Sequence, residues 1–233
     1  VKKNLILIIF VLFTGLMIAE SNDVSFYEKS GDSRSKMRDF AGAIKDYSRA
    51  IAVDPKDAYA YWRRGLNRSM AGDQKGAIED FTTALKLNPD YTGIYYLRSL
   101  AEGMSGDFKS EEKDLQKAME LNPDDPKIYK AMGVAKGNAG NYKEAISSFD
   151  KAIKLDPQYV EAYTDRGIAK SKMNDNRAAI KDYDKAIELD KNFALAYYSR
   201  AQAKKALGDS TGAKSDMDTA KKLGLVETNE KGK

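Results

Sequence analysis

The chain has 233 residues and a formal net charge of +4, from 39 basic and 35 acidic side chains. Cys and His are both absent, which excludes Cys nucleophiles, Ser-His-Asp triads, disulfides and zinc sites built on Cys or His. Acids and bases alternate along the chain without a basic stripe, so nucleic acid is not an expected partner.

At the N-terminus, Lys2 and Lys3 precede an apolar run from Leu5 to Ala19. A membrane-spanning helix needs about 20 apolar residues, whereas the core of a secretory signal needs about 7–15. Residues 1–21 are therefore expected to be a signal peptide, with Ala19-Glu20-Ser21 supplying small residues at the cleavage positions. The alternative is an uncleaved N-terminal anchor. Either way the rest of the chain is expected outside the cytoplasm, periplasmic or secreted, or tethered to the inner membrane if the anchor stays. A membrane is a partner only in that second case. No Cys follows the run, so lipid attachment there is excluded. Val1 fits an alternative start codon and hence a bacterial gene.

After the leader, one frame fits the chain six times without insertion: 24–57, 58–91, 92–125, 126–159, 160–193 and 194–227. These are repeats one to six. In repeat four, Ile128, Tyr129, Met132 and Ala135 recur at helical spacing, and so do Ala145, Ile146, Phe149, Ala152 and Ile153. Gly140 suits a left-handed helix end and Asn141 the N-cap of the next helix. The same hinge reads Arg38-Asp39, Gly72-Asp73, Gly106-Asp107, Asn174-Asp175 and Gly208-Asp209 elsewhere. Pro55, Pro89, Pro123 and Pro157 stop the second helices. The sixth repeat is polar on its second helix, with Lys214, Met217 and Lys221, as a terminal repeat should be. The tail, 228–233, is expected to be disordered.

Tyr129, Met132, Gly133, Ala145, Phe149, Ala152 and Pro157 resemble the tetratricopeptide repeat (TPR) pattern of period 34, with Tyr for Trp, Met for Leu and Lys136 for the usual Tyr. The resemblance implies an all-α fold, a right-handed α-solenoid of six helix–turn–helix repeats. It also implies a groove lined by first helices that receives peptides or helices.

Several core assignments follow from the frame. Tyr27, Tyr61, Tyr95, Tyr129, Tyr163 and Tyr197 are expected to form a packed aromatic spine. Gly31, Gly65, Ser99, Gly133, Gly167 and Ala201 are expected at close helix crossings, facing Ala43, Ala77, Ala145, Ala179 and Ala213. Glu111 breaks the facing set, and its helix is expected to tilt, slide or hold the carboxylate toward water. Arg64, Arg98, Arg166 and Arg200 each precede an aspartate by sixteen residues, namely Asp80, Asp114, Asp182 and Asp216. Each pair is expected to form a semi-buried, structural bridge across the two helices of one repeat. Asn67-Arg68-Ser69 matches a glycosylation acceptor but lies mid-helix in this frame, and is read as chance.

On the first helices the face opposite the spine is the candidate groove. In repeats two and three it carries Tyr59, Trp62, Leu66, Met70, Tyr96, Leu97, Leu100 and Met104; repeat four begins a polar, basic stretch with Lys127 and Lys130. That stretch continues through Asn138, Glu161, Thr164, Lys172, Tyr198, Gln202 and Lys205. Aromatic residues and Met suit a binding surface. Alternatively, Leu66, Leu100 and their neighbours pack between adjacent first helices. A clamp for a C-terminal carboxylate is not supported, because Val134 stands where its Asn would be. The function expected is non-catalytic protein binding outside the cytoplasm, with another protein as partner and no cofactor, metal or small-molecule substrate. The alternative is a scaffold subunit of an envelope complex, self-associating or membrane-tethered.

Overall fold

A computed structural model of the chain describes residues 23–225. The expected signal peptide and the expected disordered tail lie outside the described residues. Within them, helices follow one another in pairs: α1 (Val24–Lys36) with α2 (Phe40–Val53), and α3 (Ala58–Met70) with α4 (Gln74–Leu87). Then come α5 (Gly93–Ser105) with α6 (Phe108–Leu121), and α7 (Pro126–Asn138) with α8 (Tyr142–Leu155). The series closes with α9 (Val160–Lys172) and α10 (Asn176–Leu189), then α11 (Ala194–Ala206) and α12 (Ser210–Lys222). No strand occurs among the described residues. No helix there is long and apolar enough to cross a membrane.

The caps explain where each pair turns. Asp39, Asp73, Asp107, Asp175 and Asp209 each accept a backbone N–H from the first turn of the second helix. That satisfies one of the donors a helix start leaves open. Asn141 occupies the corresponding place but makes no such side-chain bond. The preceding residue has positive φ in every hinge: 81° at Gly140, but also 61° at Arg38, where an L side chain is strained.

The two helices of a pair run antiparallel. Arg64 meets Asp80 at mid-helix, and nearer the turn the Arg68 guanidinium donates to the Gly76 carbonyl at 3.2 Å. The chain divides into two compact units, one ending at Ile94 and the other beginning at Tyr95. In the first, Tyr27, Ala50 and Ala60 cluster, and Tyr47 and Phe81 are fully buried. In the second, Leu115, Ala118, Ile128 and Met132 form one cluster, Ala145, Phe149 and Ala169 another, and Ala179, Tyr183 and Ala203 a third.

Three packing expectations change. The buried aromatics are on the second helices, Tyr47, Phe81, Phe149 and Tyr183, while the tyrosines of the expected spine are half-buried apart from Tyr27. Their rings instead carry cations: the guanidinium carbons of Arg64, Arg166 and Arg200 stand 5.4, 5.4 and 5.5 Å from the ring centroids of Tyr61, Tyr163 and Tyr197. The glycines at the crossings face those buried rings, not the alanines: a Cβ on Gly65 would stand 3.0 Å from the Phe81 ring. Glu111 does not turn to water but is buried against Gly103. Asn67, in the sequon, is buried and donates to the Arg63 carbonyl at 2.8 Å, in keeping with a chance match.

Candidate functional site

The arginine–aspartate pairs are the most regular feature of the first-helix flank. Arg64 donates through Nε and Nη2 to both oxygens of Asp80, at 2.9 and 2.7 Å. Arg98 does the same to Asp114 at 2.6 and 2.9 Å, Arg166 to Asp182 at 3.0 and 2.6 Å, and Arg200 to Asp216 at 2.8 and 2.7 Å. This two-point match of a planar donor fork to a carboxylate fixes orientation as well as charge. Burial works against the Asp216 charge, but Arg200 and Lys204 hold its carboxyl below the ordinary range.

A second set of partners comes from the preceding repeat. Arg166 also reaches Asp150, and Arg200 reaches Asp184, each at 2.6 Å through Nη1. Those aspartates belong to the second helix of the preceding repeat, so one guanidinium ties three helices. Arg64 makes the equivalent bond to Ser48 at 3.2 Å. In repeat one, Ser30 replaces the arginine and donates to Asp46 at 2.6 Å, while Arg34 supplies the charge at 3.1 Å. The signal is a polar residue sixteen places before each arginine: Ser48, Asp150 and Asp184 precede Arg64, Arg166 and Arg200 by that spacing.

In the first unit, Tyr59, Trp62, Leu66 and Met70 lie on α3. Met70 is 57 % exposed; Tyr59, Trp62 and Leu66 are half-buried. Trp62 packs edge-on to Tyr59, at 5.7 Å between ring centroids, and is tilted against Tyr91 at 5.8 Å. Its Nε1 is buried without a hydrogen-bond partner among the described residues. Tyr59 is an internal strut. Its hydroxyl donates to Asp32 at 2.9 Å; Tyr47 donates to the same carboxylate at 2.6 Å and Arg63 pairs with it at 2.9 Å. Burial opposes the charge on Asp32, but the two tyrosine hydroxyls and Arg63 hold its carboxyl below the usual range. Burial and the same carboxylate push Tyr59 up to about 12. Arg63 and Asp32 were not singled out as a pair by the sequence, since they are thirty-one residues apart.

In the second unit, Tyr96, Leu97, Leu100 and Met104 lie on α5. Met104 is 70 % exposed, Leu100 is partly so, and Tyr96 packs against the Leu115–Ile128 cluster. Lys127 is exposed at the start of α7, and Lys130 stands 3.6 Å from Asp165 on α9. Burial raises the Asp165 carboxyl despite that lysine.

Concavities in this unit lie further along. One of about 350 Å³ is floored by Phe149 and walled by Val134, Asn138, Ile168 and Lys172. Another, of about 390 Å³, is floored by Tyr183 and walled by Ile168, Lys172, Tyr198 and Gln202. The two are the same site displaced by one repeat, because Val134, Ile168 and Gln202 hold one place of the frame and Asn138 and Lys172 another. Ile168 and Lys172 serve both. Each couples an aromatic floor to walls that mix apolar and polar side chains, the combination that orients a bound chain. Among the described residues no group of three or more acidic side chains could hold a metal.

The TPR repeat family profile matches residues 31–66, 138–174 and 171–208. No curated protein matches the chain significantly. Among solved structures, the MamA protein is similar at 26% identity and a TM-score of 0.65, over 73% of this chain and 93% of that one. YrrB, described as a TPR protein with an unusual peptide-binding site, is similar at 24% identity and a TM-score of 0.63, over 77% of this chain and 92% of that one. A tetratricopeptide repeat protein from Parabacteroides merdae is similar at 21% identity and a TM-score of 0.74, over 91% of this chain and 82% of that one. The repeat frame, the paired helices and these likenesses agree: the chain is a tetratricopeptide repeat protein of six tandem repeats, an α-solenoid fold of protein–protein interaction modules.

Proposed function

We propose that this protein is an exported, non-catalytic binding module that holds an extended segment of another protein along its first helices. The observation that carries the reading is the repetition of one cleft over Phe149 and Tyr183, with Ile168 and Lys172 common to both. A chain lying across them would place apolar side chains on successive rings. Exposed Lys172, which lines both clefts, favours a segment with an acidic residue placed over it, away from the Asp165 that lines the first cleft. The peptide-binding site named for YrrB is in keeping with this use of the fold. Within the second unit, Leu100 and Met104 on α5 supply further exposed apolar surface; in the first unit Trp62, Leu66 and Met70 on α3 form an apolar surface of their own. Export rests on the Lys2-Lys3 start and the apolar run that follows.

Selection from a random peptide library on the full chain tests the binding reading. Enriched peptides should combine apolar and acidic residues, and should lose affinity about ten-fold or more on Lys172→Glu, roughly the 1.4 kcal/mol that one decade represents. Peptides that bind the Lys172→Glu and Ile168→Ala variants as well as the parent would overturn it. Trp62 fluorescence reports whether the first unit takes part. For export, residues 1–22 fused to a reporter active only outside the cytoplasm should yield activity; a silent, stable fusion would overturn that part.

A further inference from the structure

Five of the six repeats carry a cation at one place on the first helix: Arg34, Arg68, Lys136, Lys170 and Lys204. In four of them it reaches the buried aspartate of its own repeat. Arg34 stands 3.1 Å from Asp46, Arg68 2.9 Å from Asp80, Lys170 2.8 Å from Asp182 and Lys204 2.8 Å from Asp216. Repeat three reverses the charge, with Glu102 in that place. It also carries Glu111 where every other repeat has Ala.

The two reversals fall in one hairpin, Glu102 on α5 and Glu111 on α6. Glu102 and Glu111 are each only 6 % exposed, and one carboxylate oxygen of each is buried without a hydrogen-bond partner among the described residues. Room for Glu111 comes from Gly103, where a Cβ would stand 2.6 Å from its Oε1. Arg98 lies 3.7 Å from Glu102 but is already bound at both ends to Asp114. Asp107 caps α6 from the same side. Lys136 on α7 is engaged elsewhere, 2.6 Å from Glu112 and 3.2 Å from Glu144. A buried carboxylate with no partner is costly when charged and much less so when protonated.

We propose that Glu102 and Glu111 form a proton-binding pair that makes the closure of the α5–α6 hairpin depend on pH. With a proton held on the pair the hairpin stays closed; as the proton leaves, a buried charge faced by an Arg98 already bound to Asp114 is stranded inside and the hairpin opens.

Burial first, then Asp114, Asp107 and Glu111 raise the Glu102 carboxyl, against the pull of Arg98, to about 7. Burial raises Glu111 in the same direction. A carboxyl raised on folding contributes stability that is complete below the unfolded value of 4.5 and is lost as pH rises through about 7.

Hydrogen exchange on the full chain, corrected for intrinsic rates, tests this at about pH 6 and about pH 8. Protection over residues 93–121 should fall about ten-fold between the two, as expected for one proton released near neutrality. Residues 160–189, the hairpin with Lys170 in that place, should not change. Glu102→Gln should remove the response, and Glu102→Lys should remove it while raising protection at the higher pH. In the unaltered protein, carbon NMR should show the Glu102 carboxyl titrating well above 4.5. An ordinary titration midpoint, a flat response over 93–121, or a ten-fold response retained in Glu102→Gln would overturn the proposal.

Discussion

The ring of Tyr183 lies on the backbone of Gly167, so closely that a Cβ there would stand 2.5 Å from ring carbon Cε1. The ring is buried in a cluster with Ala179 and Ala203. Gly167→Ala should therefore destabilise the protein by about 1–3 kcal/mol, the usual cost of overpacking. Gly137→Ala, whose new Cβ would meet only Ala145 at 3.9 Å, should be neutral or stabilising by up to about 1 kcal/mol. Urea denaturation of both variants checks the contrast.

The paired arginines should not be equivalent. Arg166→Met leaves Asp182 with Lys170 at 2.8 Å, but Arg98→Met leaves Asp114 facing Glu102 with no cation in the usual place. Losing the partner of a buried charge costs about 3–5 kcal/mol. Arg98→Met should approach that range and Arg166→Met should fall well short of it. Equal losses by chemical denaturation would show that the second cation contributes nothing.

At the first hinge, Arg38 has a φ of 61° that its side chain resists, whereas four other hinges use Gly. Arg38→Gly should raise stability by up to about 1 kcal/mol, relief of a left-handed residue offset by the freedom glycine gains in the unfolded chain. A thermal melt is sufficient to read it.

Caps give a matched pair. Asp73 accepts the Gly76 N–H at 2.9 Å, while Asn141 makes no side-chain cap bond. Asp73→Ala should cost about 0.5–2 kcal/mol and Asn141→Ala much less. Similar losses at both would mean the bond to Gly76 is not what stabilises the hinge.

Asp32 sets an acid limb. Its carboxyl is depressed on folding, so the stability it contributes is present above the unfolded value of 3.8 and is lost as pH falls through the lower folded value. Asp32→Asn should lower stability near neutrality and flatten the loss below about pH 4, seen as denaturation midpoints at about pH 3 and about pH 6. The same substitution frees the hydroxyls of Tyr47 and Tyr59, which should titrate closer to ordinary tyrosines.

Much of this architecture was legible because it is local. The hinge residues, the stop prolines, the helical spacing of Ala145, Phe149 and Ala152, and the recurrence of Arg and Asp sixteen residues apart are properties of short segments. Each repeats often enough to be read against its neighbours. That is why the sequence by itself determined the helical class, the repeat frame and the membership of each arginine pair.

Only the tertiary structure decided what depends on atoms brought together from separate helices. Sequence spacing could place Gly167 near a crossing but not show that a ring from α10 fills it. Nor could it say that Tyr59 spends its hydroxyl on Asp32, or that Arg166 reaches back to Asp150. It flagged Glu111 as irregular, yet burial, not spacing, sets the protonation of a carboxyl. Glu102 on α5 and Glu111 on α6 become enclosed, in a cation-poor space, only when the two helices close on each other.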